Sequence, residues 1–144
     1  MISPTAEYAL RAVVALAQAG DEAMVTSKIA EVTKVPAGYL SKVLQTLGRN
    51  GIVHSKRGLG GGFVLAKPPD QINLLEVVNA VDPIKRIERC PLDIDTHGKN
   101  LRALYQKLDA ATALVESSFR GTTLADLLAD TCQSIPFCGT QDSE

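Results

Sequence analysis

Apolar positions recur at helical spacing almost from the start of the chain. From Tyr8 to Ala19 they cover nearly every side of the predicted helix, which implies burial between two layers. Ser3 is a good N-cap, Pro4 suits the first turn, Glu7 complements the positive helix end, and Gly20-Asp21 stops it. A second helix is predicted to start at Thr26 with Ile29, Ala30 and Val32 on its core face, and Val35-Pro36 ends it and opens the next. In that third helix Leu40, Val43, Leu44 and Leu47 fall at i, i+3, i+4 and i+7, one apolar face. Gly38, Tyr39, Ser41, Lys42 and Gln45 are left on the other, a polar surface with little bulk near its start. Gly51 then closes the helix. Ile52–Ser55 reads as a short strand and Phe63–Ala66 as its return, joined by a basic, glycine-rich tip.

Beyond this hairpin, Lys67-Pro68-Pro69-Asp70 predicts a rigid connector with little helical tendency, and Leu74–Val81 a short helix. Asp82–Asn100 holds two prolines, a cysteine, a histidine and many charges, and predicts an irregular loop long enough to be functional. Leu101, Leu104, Leu108, Ala111 and Val115 alternate spacings of three and four, a heptad seam suited to a partner helix. Thr122 or Thr123 caps one more short helix, and the tail from Thr131 has no regular pattern. No internal repeat is visible.

A helix at tight helix–turn–helix spacing followed by a two-stranded ribbon is the layout of a winged helix-turn-helix. A helix fits the major groove of DNA, and a narrow glycine tip reaches phosphates or the minor groove. The fold class expected is mainly α with a small β-hairpin wing and a long C-terminal helix. Charge distribution agrees. Residues 1–67 hold eight Lys/Arg against four Asp/Glu, a net of +4; residues 68–144 hold seven against twelve, a net of −5, leaving −1 for the 144-residue chain. The positive half is the one with the helix and wing.

Composition narrows the remaining classes. Apolar residues make up 45% with no tryptophan and 4% aromatics, so the core is expected to be built of Leu, Val and Ala. No apolar run approaches the roughly 18–20 residues that span a bilayer, and the N-terminus lacks a signal-peptide pattern. Three cysteines are too few and too scattered for a secreted disulfide scaffold, which points to a cytoplasmic protein without a membrane partner. An enzyme is not expected. Gly58-x-Gly60-Gly-Gly lacks the Gly-Lys-Ser/Thr ending of a P-loop, and a strand follows where a dinucleotide turn needs a helix. Neither His54 nor His97 sits in a catalytic arrangement. His54, beside the wing, reads as structural or as a phosphate contact.

Five segments together resemble the Rrf2 family of bacterial transcription regulators: Thr5-Ala-Glu-Tyr-Ala-Leu-Arg11, Tyr39-Leu-Ser-Lys-Val-Leu44, Arg57-Gly-Leu-Gly-Gly-Gly-Phe63, Glu76-Val-Val-Asn-Ala-Val-Asp82 and Arg89-Cys-Pro-Leu92. The resemblance runs to about Leu128. It implies a homodimeric repressor on a near-palindromic double-stranded DNA operator, with a long C-terminal helix crossing to the partner. It divides the chain into a DNA-binding winged helix-turn-helix, 1–67, and a linker, sensor loop, dimerisation helix and tail, 68–144. The residues expected at DNA are Thr26 and Ser27 at the bracing helix, Tyr39, Ser41, Lys42 and Gln45 on the recognition helix, and Lys56, Arg57 and Gly60 in the wing. Leu101, Leu104, Leu108 and Val115 are expected at the dimer seam. The other reading is a winged-helix protein-interaction module without sequence-specific DNA binding.

Many family members hold an iron–sulfur cluster on three cysteines in the loop before the long helix, thiolates being soft ligands suited to iron. Cys90 matches the first position, His97 follows, Arg102 stands where relatives commonly show a second cysteine, and Glu7 matches an N-terminal carboxylate recruited from the partner. The cysteine set is thus incomplete. Cys132 and Cys138 in the tail either complete a site, form a reversible disulfide, or, with Cys90, are inert.

Overall fold

The computed structural model describes residues 2–88 and 99–130. Helix α1 (Pro4–Ala19) runs through the middle, and Ser3 Oγ accepts the Ala6 N–H as its cap. Its small residues Ala6, Ala9, Ala12 and Ala15, with Val13 and Leu16, are all buried. Small side chains let neighbours approach closely from several sides. α2 (Thr26–Thr33), α3 (Ala37–Arg49), α4 (Leu74–Val81) and α6 (Leu124–Ala129) all pack against α1. The apolar face of α3 is seated as its spacing requires: Leu40, Val43, Leu44 and Leu47 are buried. α2 turns differently from expectation. Ile29 is fully buried, but Val32 is half exposed, because a helix of two turns presents only one narrow stripe to α1 and α3.

Between α2 and α3, Lys34 takes a left-handed conformation at φ 58°, which turns the chain sharply before Pro36 opens α3. The hairpin follows as β1 (Val53–Lys56) and β2 (Gly62–Leu65), paired antiparallel with Val53 opposite Leu65 and Lys56 opposite Gly62. A third short partner joins from the α1–α2 connection: Met24 N–H donates to the Phe63 carbonyl at 3.0 Å and Phe63 N–H to the Met24 carbonyl at 2.8 Å. This ties the wing to the start of α2. The strand positions fall within one residue of the sequence expectation.

The proline connector is not wholly extended. Pro69–Gln71 forms one turn of 3-10 helix, which prolines at the start of a turn permit. Asn73 Oδ1 then caps α4 by accepting the Glu76 N–H at 2.8 Å, and Lys67 pairs with Glu76. Thr123 and Asp126 cap α6 reciprocally: the Asp126 N–H donates to Thr123 Oγ1 at 3.1 Å and the Thr123 N–H to Asp126 Oδ2 at 2.8 Å. The Thr123 backbone N–H first, then its hydroxyl, hold the Asp126 carboxyl below its ordinary range. Leu74 N–H donates to Thr122 O and Leu124 N–H to Ile72 O, so the two helix starts are stitched together. One continuous core results, in which Ile72, Leu74, Val77 and Leu124 pack with Ala9, Leu16, Leu40 and Ile52.

α5 (Lys99–Arg120) is unlike the rest. It contacts α4, yet none of residues 100–120 is buried. Lys99 and Asn100, expected in the preceding loop, already belong to the helix. Within that loop 82–88 is described, while 89–98 lies outside the described residues, as does the tail from Thr131.

Candidate nucleic-acid interface

α3 is held from beneath by its four buried leucine and valine side chains, so its opposite face is fixed in direction. Ser41, Lys42, Gln45 and Arg49 are exposed on that face. Beside it lies a groove of about 680 Å³, walled by α3 from Ser41 to Arg49, the start of α2, strand β1 and Phe63 of β2. Thr26, Ser41, Lys42 and Gln45 line it together with Arg49 and His54. Four residues singled out by the sequence therefore converge on one concavity. Thr26 is half-buried at its edge; Ser27, next to it, is exposed. The Ser41 hydroxyl donates back to the Ala37 carbonyl at 3.1 Å, which leaves its oxygen lone pairs outward as acceptors.

Tyr39 is placed elsewhere. Its hydroxyl shares a hydrogen bond with Thr5 Oγ1, and its ring meets that of Tyr8 edge-on at 5.4 Å between centroids. Arg11 lies over the Tyr8 ring at 5.8 Å and pairs with Glu7. The exposed ring of Tyr39 thus sits at the start of α3 while its hydroxyl is committed to α1. Lys56, Arg57 and Gly60 stand at the far end of the hairpin, all exposed.

Of the charged or titratable groove residues, Arg49 was missed by the sequence reading, and His54 was read only as structural or as a phosphate contact. Arg49 lies one turn beyond Gln45 on the stripe Lys42–Gln45–Arg49, and helical spacing alone would have found it. His54 is opposite, on β1, where only the folded hairpin brings it to the groove. Among the described residues, Lys42, Arg49, Lys56 and Arg57 form no ion pair, whereas Arg11, Lys28, Lys67, Arg86 and Arg120 each hold a carboxylate. Four of the cations without an ion pair among the described residues thus lie on α3 and the hairpin. An anionic polymer is the ligand such a surface suits.

A family model described as Rrf2, iron-dependent transcriptional regulator, matches residues 2–130. The chain belongs to the Rrf2 family. An HTH-type transcriptional regulator of Aquifex aeolicus is 32% identical over 131 residues, covering 89% of this chain and 91% of that protein. One from Mycobacterium tuberculosis is 33% identical over 128 residues, covering 88% and 80%. Among solved structures, Bacillus subtilis CymR, the global cysteine regulator of that organism, superposes with a TM-score of 0.75 at 27% identity, covering 92% of this chain and 98% of CymR. T. potens IscR, at 24% identity and a TM-score of 0.73, shares the fold over 94% and 93% of the two chains. The relatives of this Rrf2 protein are transcriptional regulators, not enzymes, and its mainly helical fold with one two-stranded hairpin is their winged helix.

Cys90, His97, Cys132 and Cys138 lie outside the described residues. Of the sequence-selected ligands only Glu7 is described, and it is engaged by Arg11. Among the described residues no group of three or more His, Cys, Asp or Glu side chains is placed to hold a metal ion. The described residues by themselves therefore do not form an iron site. No helix among them is long and apolar enough to cross a membrane.

Proposed function

We propose that this Rrf2 protein is a cytoplasmic, homodimeric repressor that reads a near-palindromic DNA operator. α3 enters the major groove with Ser41, Lys42 and Gln45 facing base edges and phosphates. Thr26 and Ser27 contact the backbone next to it, the ring of Tyr39 borders the first turn, and Lys56, Arg57 and Gly60 reach the minor groove. Arg49 and His54 join the backbone contacts on the far wall of the groove. The observation that carries this reading is the convergence of Thr26, Ser41, Lys42, Gln45, Arg49 and His54 on one exposed concavity beside a hairpin whose cations are unpaired.

The partner subunit is proposed along α5. Leu101, Leu104 and Leu108 are 41%, 50% and 42% exposed in a single copy, and Leu114 beside the seam is 73% exposed. A long helix with leucines turned to water is stabilised by a second copy, each half-exposed seam leucine contributing on covering roughly half of the 1.5–3 kcal/mol that full burial of an exposed leucine gives. Residues 1–67 would then serve as the DNA-reading part and 68–144 as the pairing and responding part. Two recognition helices related by a two-fold axis meet half-sites about 34–36 Å apart.

The test is affinity for duplex DNA as a function of salt. Neutralised phosphates release counterions, so log affinity should fall linearly with log salt, by about 0.9 for each phosphate contacted. Affinity that is absent or indifferent to salt would leave a winged helix used for protein contacts.

A further inference from the structure

The most exposed of the large apolar side chains described sits at the end of the hairpin. Leu59 is fully exposed and stands between Gly58 and Gly60. The turn beneath it is tightly built. Gly58 and Gly60 adopt φ of 91° and 73°, a region that residues with a Cβ rarely enter, and Gly61 N–H closes the turn onto the Gly58 carbonyl at 3.0 Å. A Cβ on Gly61 would lie 2.6 Å from the Lys56 carbonyl oxygen, and one on Gly62 would lie 2.4 Å from the carbonyl carbon of Met24. The tip is thus fixed against the Met24 segment and presents Leu59 outward, next to Lys56 and Arg57. Such a leucine gains by leaving water, and its two cationic neighbours favour a phosphate-flanked cleft.

Resting on the reading that the hairpin enters the minor groove, we propose that Leu59 is a base-discriminating contact that favours A·T over G·C beneath the wing tip. A G·C pair places the guanine 2-amino donor on the minor-groove floor, whereas A·T presents only acceptors there. An apolar side chain pressed onto that floor removes water from the amino group and offers no hydrogen bond in return. Leucine is among the side chains that proteins press into this groove. Arg57 steers the tip by charge; Leu59 supplies the exclusion.

The probe is a duplex enriched by the wild-type protein from a randomised pool, then remade pair by pair across the wing footprint as A·T, G·C or inosine·cytosine. Inosine lacks the 2-amino group but keeps the major-groove edge of guanine. At one pair, G·C should weaken wild-type binding about fivefold or more, inosine·cytosine should restore it to within about twofold, and Leu59→Ala should bind all three within about twofold. The substitution lies on a fully exposed tip and leaves the core untouched. The proposal falls if no pair behaves this way, if inosine·cytosine stays as weak as G·C, or if Leu59→Ala discriminates like wild type. A pool in which no sequence enriches overturns the DNA-binding reading instead.

Discussion

The Tyr39 hydroxyl lies 2.7 Å from Thr5 Oγ1, so the first turn of α3 is tied to the first turn of α1. The Tyr39 ring, edge-on to Tyr8 at 5.4 Å, adds a second tie at the same point. Residues at the start of a recognition helix reach DNA first, and their direction is set here by a helix that lies behind them.

Removing only the hydroxyl should have a small effect. Tyr39→Phe keeps the aromatic pair and loses one exposed hydrogen bond, worth roughly 0.5 kcal/mol, or about a twofold change in DNA affinity. Tyr39→Ala also loses the edge-on pair, about 0.5–1.5 kcal/mol more, and weakens binding further. Thermal unfolding and fluorescence anisotropy on one duplex check both. A large loss of affinity in Tyr39→Phe would mean that the hydroxyl leaves Thr5 to contact DNA.

Arg49 and Lys42 share a stripe on α3, and both face phosphate in the proposed complex. Either substitution to Ala should weaken binding to all duplexes alike and lower the salt slope by about one. His54→Ala should also weaken all sequences without changing which is preferred. A change of sequence preference in Arg49→Ala would assign that residue to bases instead.

Leu104 is half exposed in one copy, so Leu104→Asp should not disturb folding of the subunit. In the proposed seam it would bury two unpaired charges per dimer, which costs several kcal/mol. Light scattering should then report a folded monomer with much weakened DNA binding. A dimer that survives would move the interface away from this face of α5.

Asp109 on α5 anchors Arg86 and Ile87, in the segment that follows α4. Arg86 donates to both its carboxylate oxygens at 2.8 Å, and Ile87 N–H donates to it at 2.9 Å. The Arg86 bonds first, then that of Ile87, hold the Asp109 carboxyl down to about 2 from 3.8. Because the folded value is depressed, this anchor contributes fully above 3.8 and is lost as pH falls through about 2. A carbon-13 titration of the Asp109 carboxyl should show a midpoint near 2, returning towards 3.8 in Arg86→Ala. A midpoint near 3.8 in the wild type would mean the anchor is not formed in solution.

Local patterns were the legible part of this fold. Leu40, Val43, Leu44 and Leu47 are buried as their spacing requires, and the ends of α4, Leu74 and Val81, coincide with expectation. Interactions between distant segments were not legible. Nothing near Met24 signals that its backbone pairs with Phe63, and nothing near His54 signals that β1 forms a wall of the α3 groove. Val32 misled because an apolar residue at helical spacing need not meet a neighbour when the helix is only two turns long. Of the proposed DNA contacts, Lys42 and Gln45 follow from the polar face of α3, whereas the commitment of the Tyr39 hydroxyl to Thr5 depends on how α1 crosses beneath.

The most direct measurement is selection by the full-length protein from a pool of randomised duplexes. Two recognition helices on a homodimer should enrich an inverted repeat with half-site centres about one helical turn apart, 10–10.5 base pairs. Recovery of duplexes without any shared sequence, or of a single unrepeated site, would contradict a two-fold symmetric repressor that reads DNA through α3 and the wing.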